Sequence, residues 1–237
     1  MLKTIVIAGT LDTKGEEFAF VEKLIRARGL STCVIDFGVI GEPRFKPDID
    51  NDEVARAGGS SIDKLRNEKD KADAMRVMKE GLIVIVRTLY EQGNLQGIIS
   101  MGGSGGTSIA TAAMRTLPLG IPKLIVSTVG GGDVAPYVGS RDISIMPSVV
   151  DIAGINRISR LIYANAAGAI AGMVETEMPP FEQERPMIAA SMFGNTTACV
   201  ERARTRLEGK GFEVLVFHAT GTGGRTMQSL VEDDFIA

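Results

Sequence analysis

Three stretches of this sequence share a chemistry. Gly9-Thr10-Leu11-Asp12-Thr13-Lys14-Gly15, Gly102-Gly103-Ser104-Gly105-Gly106-Thr107-Ser108 and Ser127-Thr128-Val129-Gly130-Gly131-Gly132-Asp133 all combine glycines with Ser or Thr hydroxyls. Missing side chains let backbone N–H groups approach an anion, hydroxyls add donors, and a helix starting there contributes roughly half a positive charge at its N-terminus. These residue types suit phosphate. One such turn can exist merely to pack a helix tightly on a strand. Repeated after successive β-type runs, they point to a shared cleft, because ligands of open α/β sheets bind outside the carboxyl ends of the strands.

The charged groups nearest the expected phosphates are Asp12, Lys14 and Asp133. Lys14 would neutralise a phosphate. Asp12 or Asp133 would hold magnesium, which favours carboxylates together with phosphate oxygens; Asp12 would equally serve as a helix cap. Asp36 ends the second expected strand, a position where doubly wound proteins place a ribose-binding carboxylate. The candidate nucleotide-contacting residues are therefore Gly9, Thr10, Asp12, Thr13, Lys14, Asp36, Gly102, Gly103, Ser104, Gly105, Gly106, Thr107, Thr128, Gly130, Gly131, Gly132 and Asp133.

Standard fingerprints do not account for these turns. No Gly-x4-Gly-Lys-Ser/Thr run occurs, and the dinucleotide spacing that begins at Gly103-Ser104-Gly105 finds Ser108 in place of its third glycine. Gly221-Thr222-Gly223 fails alike, at Thr226. Ser104 and Ser191 have no evident base partner and are not read as nucleophiles. His218 is the only histidine, so no histidine pair can anchor zinc or run acid–base chemistry; it reads as a strand residue. Asp48, Asp50 and Asp52 alternate but lack the glycine and glutamate of a calcium loop, and read as solvated helix-capping acids. The basic run Arg202, Arg204, Arg206 and Lys210 has no interleaved aromatics and reads as a solvated helix face.

The elements that must position these residues follow from hydrophobic patterning. Short continuous apolar runs at Thr4–Ala8, Ser31–Phe37, Gly97–Met101 and Lys123–Ser127 suit strands buried on both faces, as in a parallel sheet. Phe18, Val21, Leu24 and Ile25 recur at helical spacing before Gly29, giving a βαβ unit. A longer helix is expected over Glu68–Glu91, with Met75, Met78, Leu82, Ile85 and Leu89 on its buried stripe and Gly81 either permitting close packing or marking a break. Gly41–Ser61 reads as an irregular crossover containing a short helix. A proline-rich linker is expected across Glu175–Pro186, after which the βα pattern restarts with strands at Met187–Ser191 and Glu213–Ala219 and a helix at Ala198–Glu208. The expectation is an α/β protein: a Rossmann-like, doubly wound parallel sheet over residues 1–178, then the start of a second, smaller Rossmann-like domain over 186–237.

Composition narrows the partners. With 26 basic and 29 acidic residues, the net charge of -3 gives no broad attraction to nucleic acid or membrane, so any anion must be bound locally. No apolar run approaches the roughly 18 residues a membrane span needs. Cys33 and Cys199 form neither a disulfide framework nor a zinc spacing, so a cytoplasmic location is expected.

The stretches Ile7–Glu17, Gly102–Thr107 and Thr128–Val134, in that order, resemble the family of the tomato mosaic virus resistance protein's N-terminal ATP-binding domain, and the resemblance runs the length of the chain. It implies two Rossmann-like halves in a protein of about 400 residues, two domains of ordinary size, of which this chain reaches only partway through the second. It also implies ATP as the nucleotide, with which the magnesium expected at Asp12 or Asp133 would bind, and self-association as a homo-oligomer such as a dimer. In the plant relative it implies inhibition of viral replication. Three readings stand at this point: an ATP-binding protein, an enzyme acting on a phosphorylated or carboxylated metabolite with Asp12 or Asp133 handling a proton, and an oligomeric interaction module.

Overall fold

The computed structural model describes residues 3–177 and 185–236. They form two compact units, Met1–Thr176 and Glu177–Ala237. The first contains, in chain order, β1 (Thr4–Gly9), α1 (Leu11–Arg26), β2 (Ser31–Asp36), α2 (Asn51–Ala57), α3 (Ile62–Glu68), α4 (Lys71–Glu91), β3 (Gly97–Gly102), α5 (Ser104–Met114), β4 (Lys123–Ser127), α6 (Ala135–Val138), β5 (Ser144–Pro147) and α7 (Ser159–Glu175). Its five strands pair in parallel in the order β2-β1-β3-β4-β5. This is a doubly wound, Rossmann-like sheet, as the continuous apolar runs predict.

Alternation of side chains across each strand builds a core on both faces. Val6, Ala8, Ile98 and Ile125 pack with Val54, Val77, Met78, Leu82 and Ala110 of α2, α4 and α5. Ile5, Ile7, Ile99 and Val126 pack on the other face with Phe18 and Val21 of α1 and Tyr163, Ala167 and Ile170 of α7. Burial of each large aliphatic or aromatic chain contributes about 1.5–3 kcal/mol before its entropy loss.

The expected long helix is α4, which starts at Lys71 and not at Glu68: α3 ends ahead of Lys69, which adopts φ 53, ψ 24, and α4 begins after Asp70. Asp70 accepts from the N–H groups of Ala72 and Asp73, the cap that makes the restart possible. Gly81 does not break α4. A Cβ there would lie 1.9 Å from the Val54 carbonyl oxygen, and one on Gly58 would lie 2.1 Å from that of Val77, so this glycine pair lets α2 and α4 touch backbone to backbone. Met78 and Leu82 are buried as expected, whereas Met75, Ile85 and Leu89 are half-buried. The aspartates at 48, 50 and 52 are structural: Asp48 accepts from Val34 N, Asp50 caps α2 in a capping box with Glu53, and Asp52 accepts from Ile62 N.

β5 and α7 are among the elements that escaped the sequence reading. The β5 segment Ser-Ile-Met-Pro is too short and mixed to stand out. In α7, by contrast, Tyr163, Ala166, Ala167, Ile170, Ala171 and Val174 are buried at helical spacing, a signal diluted by its alanines.

The second unit pairs β6 (Met187–Met192) in parallel with β7 (Glu213–His218), accompanied by α8 (Thr197–Glu208) and α9 (Gly223–Glu232). Val214 is the one buried residue of these two strands. Of the expected linker, residues 178–184 lie outside the described residues. No helix among the described residues is long and apolar enough to cross a membrane.

Candidate functional site

Strand order decides where the turns meet. Gly102 at the end of β3 stands beside Ser127 at the end of β4, and Ala8 of β1 stands beside Ser100 of β3. All three candidate stretches therefore lie on one carboxyl edge. The chain leaves β1 toward one face, through α1, and leaves β3 toward the other, through α5. The crevice between β1 and β3 is the topological switch point, where doubly wound folds bind ligands.

The first stretch is already engaged within the protein. Helix α1 opens with a turn at Leu11 that kinks at Lys14 (φ -129, ψ 23) before the helix continues, and the Leu11 N–H donates to Asp36 Oδ1 at 3.0 Å, as does Gly38 N–H at 2.8 Å. Asp36 is fully buried. Burial pushes its carboxyl up to about 6, against the lowering pull of these two amides; Asp12 raises it further and Arg66 lowers it. Asp12 Oδ2 accepts from Ile40 N–H at 2.9 Å and Gly41 N–H at 3.1 Å, while its Oδ1 is enclosed without a hydrogen-bond partner. A Cβ on Gly38 would sit 2.6 Å from that Oδ1. The Lys14 ammonium donates to the Ile152 carbonyl at 2.7 Å. Thr10 and Thr13 pair their hydroxyls at 3.0 Å. Asp12, Lys14 and Asp36 thus tie the edge of the sheet together.

The second stretch is different. Gly102 ends β3, Gly103 is the N-cap of α5, and Ser104, Gly105 and Gly106 form the first helical turn. No side chain caps this helix and no acidic residue lies in its first turn. Its first N–H groups have no intrahelical acceptor. Thr107 is buried, its hydroxyl 2.7 Å from that of Ser127, and so joins α5 to β4. Gly102-Gly103-Ser104-Gly105-Gly106 also matches the nucleophile motif Gly-x-Ser-x-Gly. The strained elbow of that motif is absent, since Ser104 is not among the left-handed residues Lys69, Val149 and Asp234. The lone histidine belongs to the other unit.

The third stretch leads into no helix of substance, contrary to expectation: α6 has 4 residues. Gly130 N–H and Gly132 N–H donate back to Ser127 and Val129 carbonyls, and Asp133 Oδ1 accepts from Ala135 N–H at 3.1 Å. Thr128 and Gly131 line a recess of about 490 Å³ with the loop after β5, where Val149 has φ 65.

A larger cleft, about 690 Å³, opens over the second stretch. Thr10, Gly105 and Gly106 form its floor at the switch point. Phe37, Leu65, Met75, Met78 and Ile109 give it an apolar wall, and Arg66, Lys69 and Lys71 border it. Of the expected contacts, the structure brings Thr10, Gly105 and Gly106 into this cleft and leaves Thr128 and Gly131 on the other recess. The bordering cations were missed by sequence reading because they fall at a helix break that nothing but the Asp70 cap signals.

The magnesium expectation does not fit Asp12, whose two oxygens are respectively engaged by amides and enclosed. Among the described residues, no group of three or more His, Cys, Asp or Glu side chains could hold a metal ion.

Sequence comparison matches residues 3–179 to the N-terminal domain of an uncharacterised protein family (UPF0261) and residues 185–237 to its C-terminal domain. A UPF0261 protein of Clostridium tetani is 54% identical over 236 residues, covering 100% of this chain and 58% of the relative. The tomato (Solanum lycopersicum) ToMV susceptible protein tm-1(GCR26) is 35% identical over 250 residues, 96% of this chain and 33% of the plant protein. The chain thus spans about 58% of the length of the bacterial relative. Among solved structures, a UDP-N-acetylglucosamine 2-epimerase from Rickettsia bellii aligns with 100% of this chain and 68% of its own at 11% identity and a TM-score of 0.39. At that level the fold assignment rests on the strand order itself.

Proposed function

The chain belongs to the UPF0261 family, and on that premise we propose that its first unit binds a nucleotide, ATP, with the phosphates at the N-terminus of α5. A Rossmann-like sheet is compatible with nucleotide binding in general. One observation carries the more specific reading: the cleft at the β1–β3 switch point combines an uncapped, acid-free helix N-terminus with an apolar wall of Phe37, Leu65, Met75, Met78 and Ile109. Amides of Ser104, Gly105 and Gly106 would receive phosphate oxygens, and the apolar wall would receive the base. ATP is preferred among nucleotides on the family resemblance. A homo-oligomeric state and a cytoplasmic location belong to the same proposal and rest on the resemblance and composition alone. No catalytic step is assigned: of the two expected proton carriers, Asp12 is engaged with the 38–41 loop and Asp133 accepts from the Ala135 amide in its own turn.

Thermal unfolding of the chain with ATP, ADP and inorganic phosphate tests the reading. Ligand at 100 times its dissociation constant stabilises the bound form by about 2.7 kcal/mol, an upward shift of roughly 5–10 °C for a domain of this size. An unmoved transition with all three ligands at millimolar concentration rejects it.

A further inference from the structure

We infer that Lys69 and Lys71, at the junction of α3 and α4, hold the terminal phosphates of a nucleoside di- or triphosphate in the cleft above α5. The inference rests on the nucleotide reading and deepens it. Negative charge brought into a half-enclosed apolar cleft needs cations nearby, and the cation expected from the sequence is engaged elsewhere, since Lys14 donates to the Ile152 carbonyl.

Lys69 and Lys71 border the same cleft as Gly105 and Gly106. Their neighbours are all occupied: Lys64 pairs with Glu68, Arg66 with Glu42 and the carbonyls of Val39 and Gly41, and Arg76 with Asp73 and Glu80. Neither Lys69 nor Lys71 forms a salt bridge of 4.0 Å or less among the described residues. Asp70 lies between them in the cleft wall, and its Oδ1 accepts from two amides of α4 as N-cap, which directs that carboxylate into the helix start.

The backbone adds a reason for this placement. Lys69 holds φ 53, a conformation that favours glycine or asparagine over lysine. Such an outlier motivates a role for the Lys69 side chain. Two ammonium groups and one amide cradle match more than one phosphate, so the class is a di- or triphosphate in preference to a monophosphate or a nucleoside.

Calorimetric titration of the chain with ATP, ADP, AMP and adenosine tests the assignment, comparing wild type with Lys69→Gln/Lys71→Gln and with Lys69→Arg/Lys71→Arg. A lysine contact near a partly solvated phosphate corresponds to about 5-fold in affinity. The double Gln variant should lose about 25-fold for ATP and less than about 2-fold for adenosine, and the double Arg variant should recover most of the loss. Lys71→Gln alone, at an ordinary helical position, should lose about 5-fold for ATP without altering the ligand-free melting temperature, which keeps the test decisive if the double variant folds poorly. Unchanged ATP affinity, or an equal loss for ATP and adenosine, overturns the lysine assignment and leaves the nucleotide reading standing. Wild type that binds none of the four ligands overturns both.

Discussion

The β1–α1 and β3–α5 junctions look alike in sequence and are opposites in structure. Both follow a buried strand with glycine and hydroxyl residues and open a helix. At the first, the protein supplies its own anion: Asp36 receives the Leu11 amide, and Asp12 receives two amides of the 38–41 loop. At the second, the helix starts without cap or acid beside an open cleft. Composition reports which donors exist, but an acid brought in from a neighbouring strand decides whether they are available.

The largest effect that would test this contrast is on stability. Asp36→Ala removes the acceptor for two buried amides and should lower the unfolding free energy by about 3–5 kcal/mol in urea titration, given about 1.5–3 kcal/mol per hydrogen bond to a charged group. The same residue carries a pH signature. Its carboxyl is raised from 3.8 to about 6 in the folded state, so the folded state binds more protons between those values. Its contribution is therefore fully present below about pH 4 and is lost as pH rises to about 6 and beyond, by about 3 kcal/mol in the limit. Relative to Asp36→Asn, which does not titrate, wild type should lose stability across that window; a parallel pair of pH curves would show that the first junction does not hold a buried acid.

Next comes binding at the second junction. Gly105→Asp places a carboxylate in the first turn of α5, where an added Cβ meets nothing closer than Met75 Cε at 3.7 Å. ATP affinity should fall by about 100-fold through repulsion and loss of the amide site, while ligand-free stability changes by less than about 1 kcal/mol because an acid suits a helix N-terminus. Retained affinity in calorimetry would move the phosphates away from α5. The smallest effect is expected at Lys14. Lys14→Met should lower stability by about 1 kcal/mol through its bond to Ile152 and leave ATP affinity within about 2-fold. A large loss of affinity instead would return the phosphate site to the first junction and break the comparison.

Much of this architecture was legible from local pattern. The strands β1 to β4 are apolar runs because both their faces are covered, and runs of that kind are visible without neighbours. The cap at Asp50 and the stop at Gly29 are likewise local. Less legible were β5, whose four residues are a strand only because β4 lies beside them, and the break at Lys69, where a lysine occupies a conformation its type disfavours. The third glycine stretch was read as a helix start, yet its glycines fold back on Ser127 and Val129 carbonyls.

Phosphate chemistry, then, was written in residue types: glycine, serine and threonine at strand ends supply amides and hydroxyls whatever surrounds them. Which of those donors face a ligand was decided by strand order. Pairing β2 beside β1 carries Asp36 to the start of α1 and closes that junction, whereas β3 has β4 beside it, whose Ser127 hydroxyl reaches Thr107 and leaves the first turn of α5 open. Residues 25 positions apart meet across this sheet edge, a separation over which local pattern carries no record of contact.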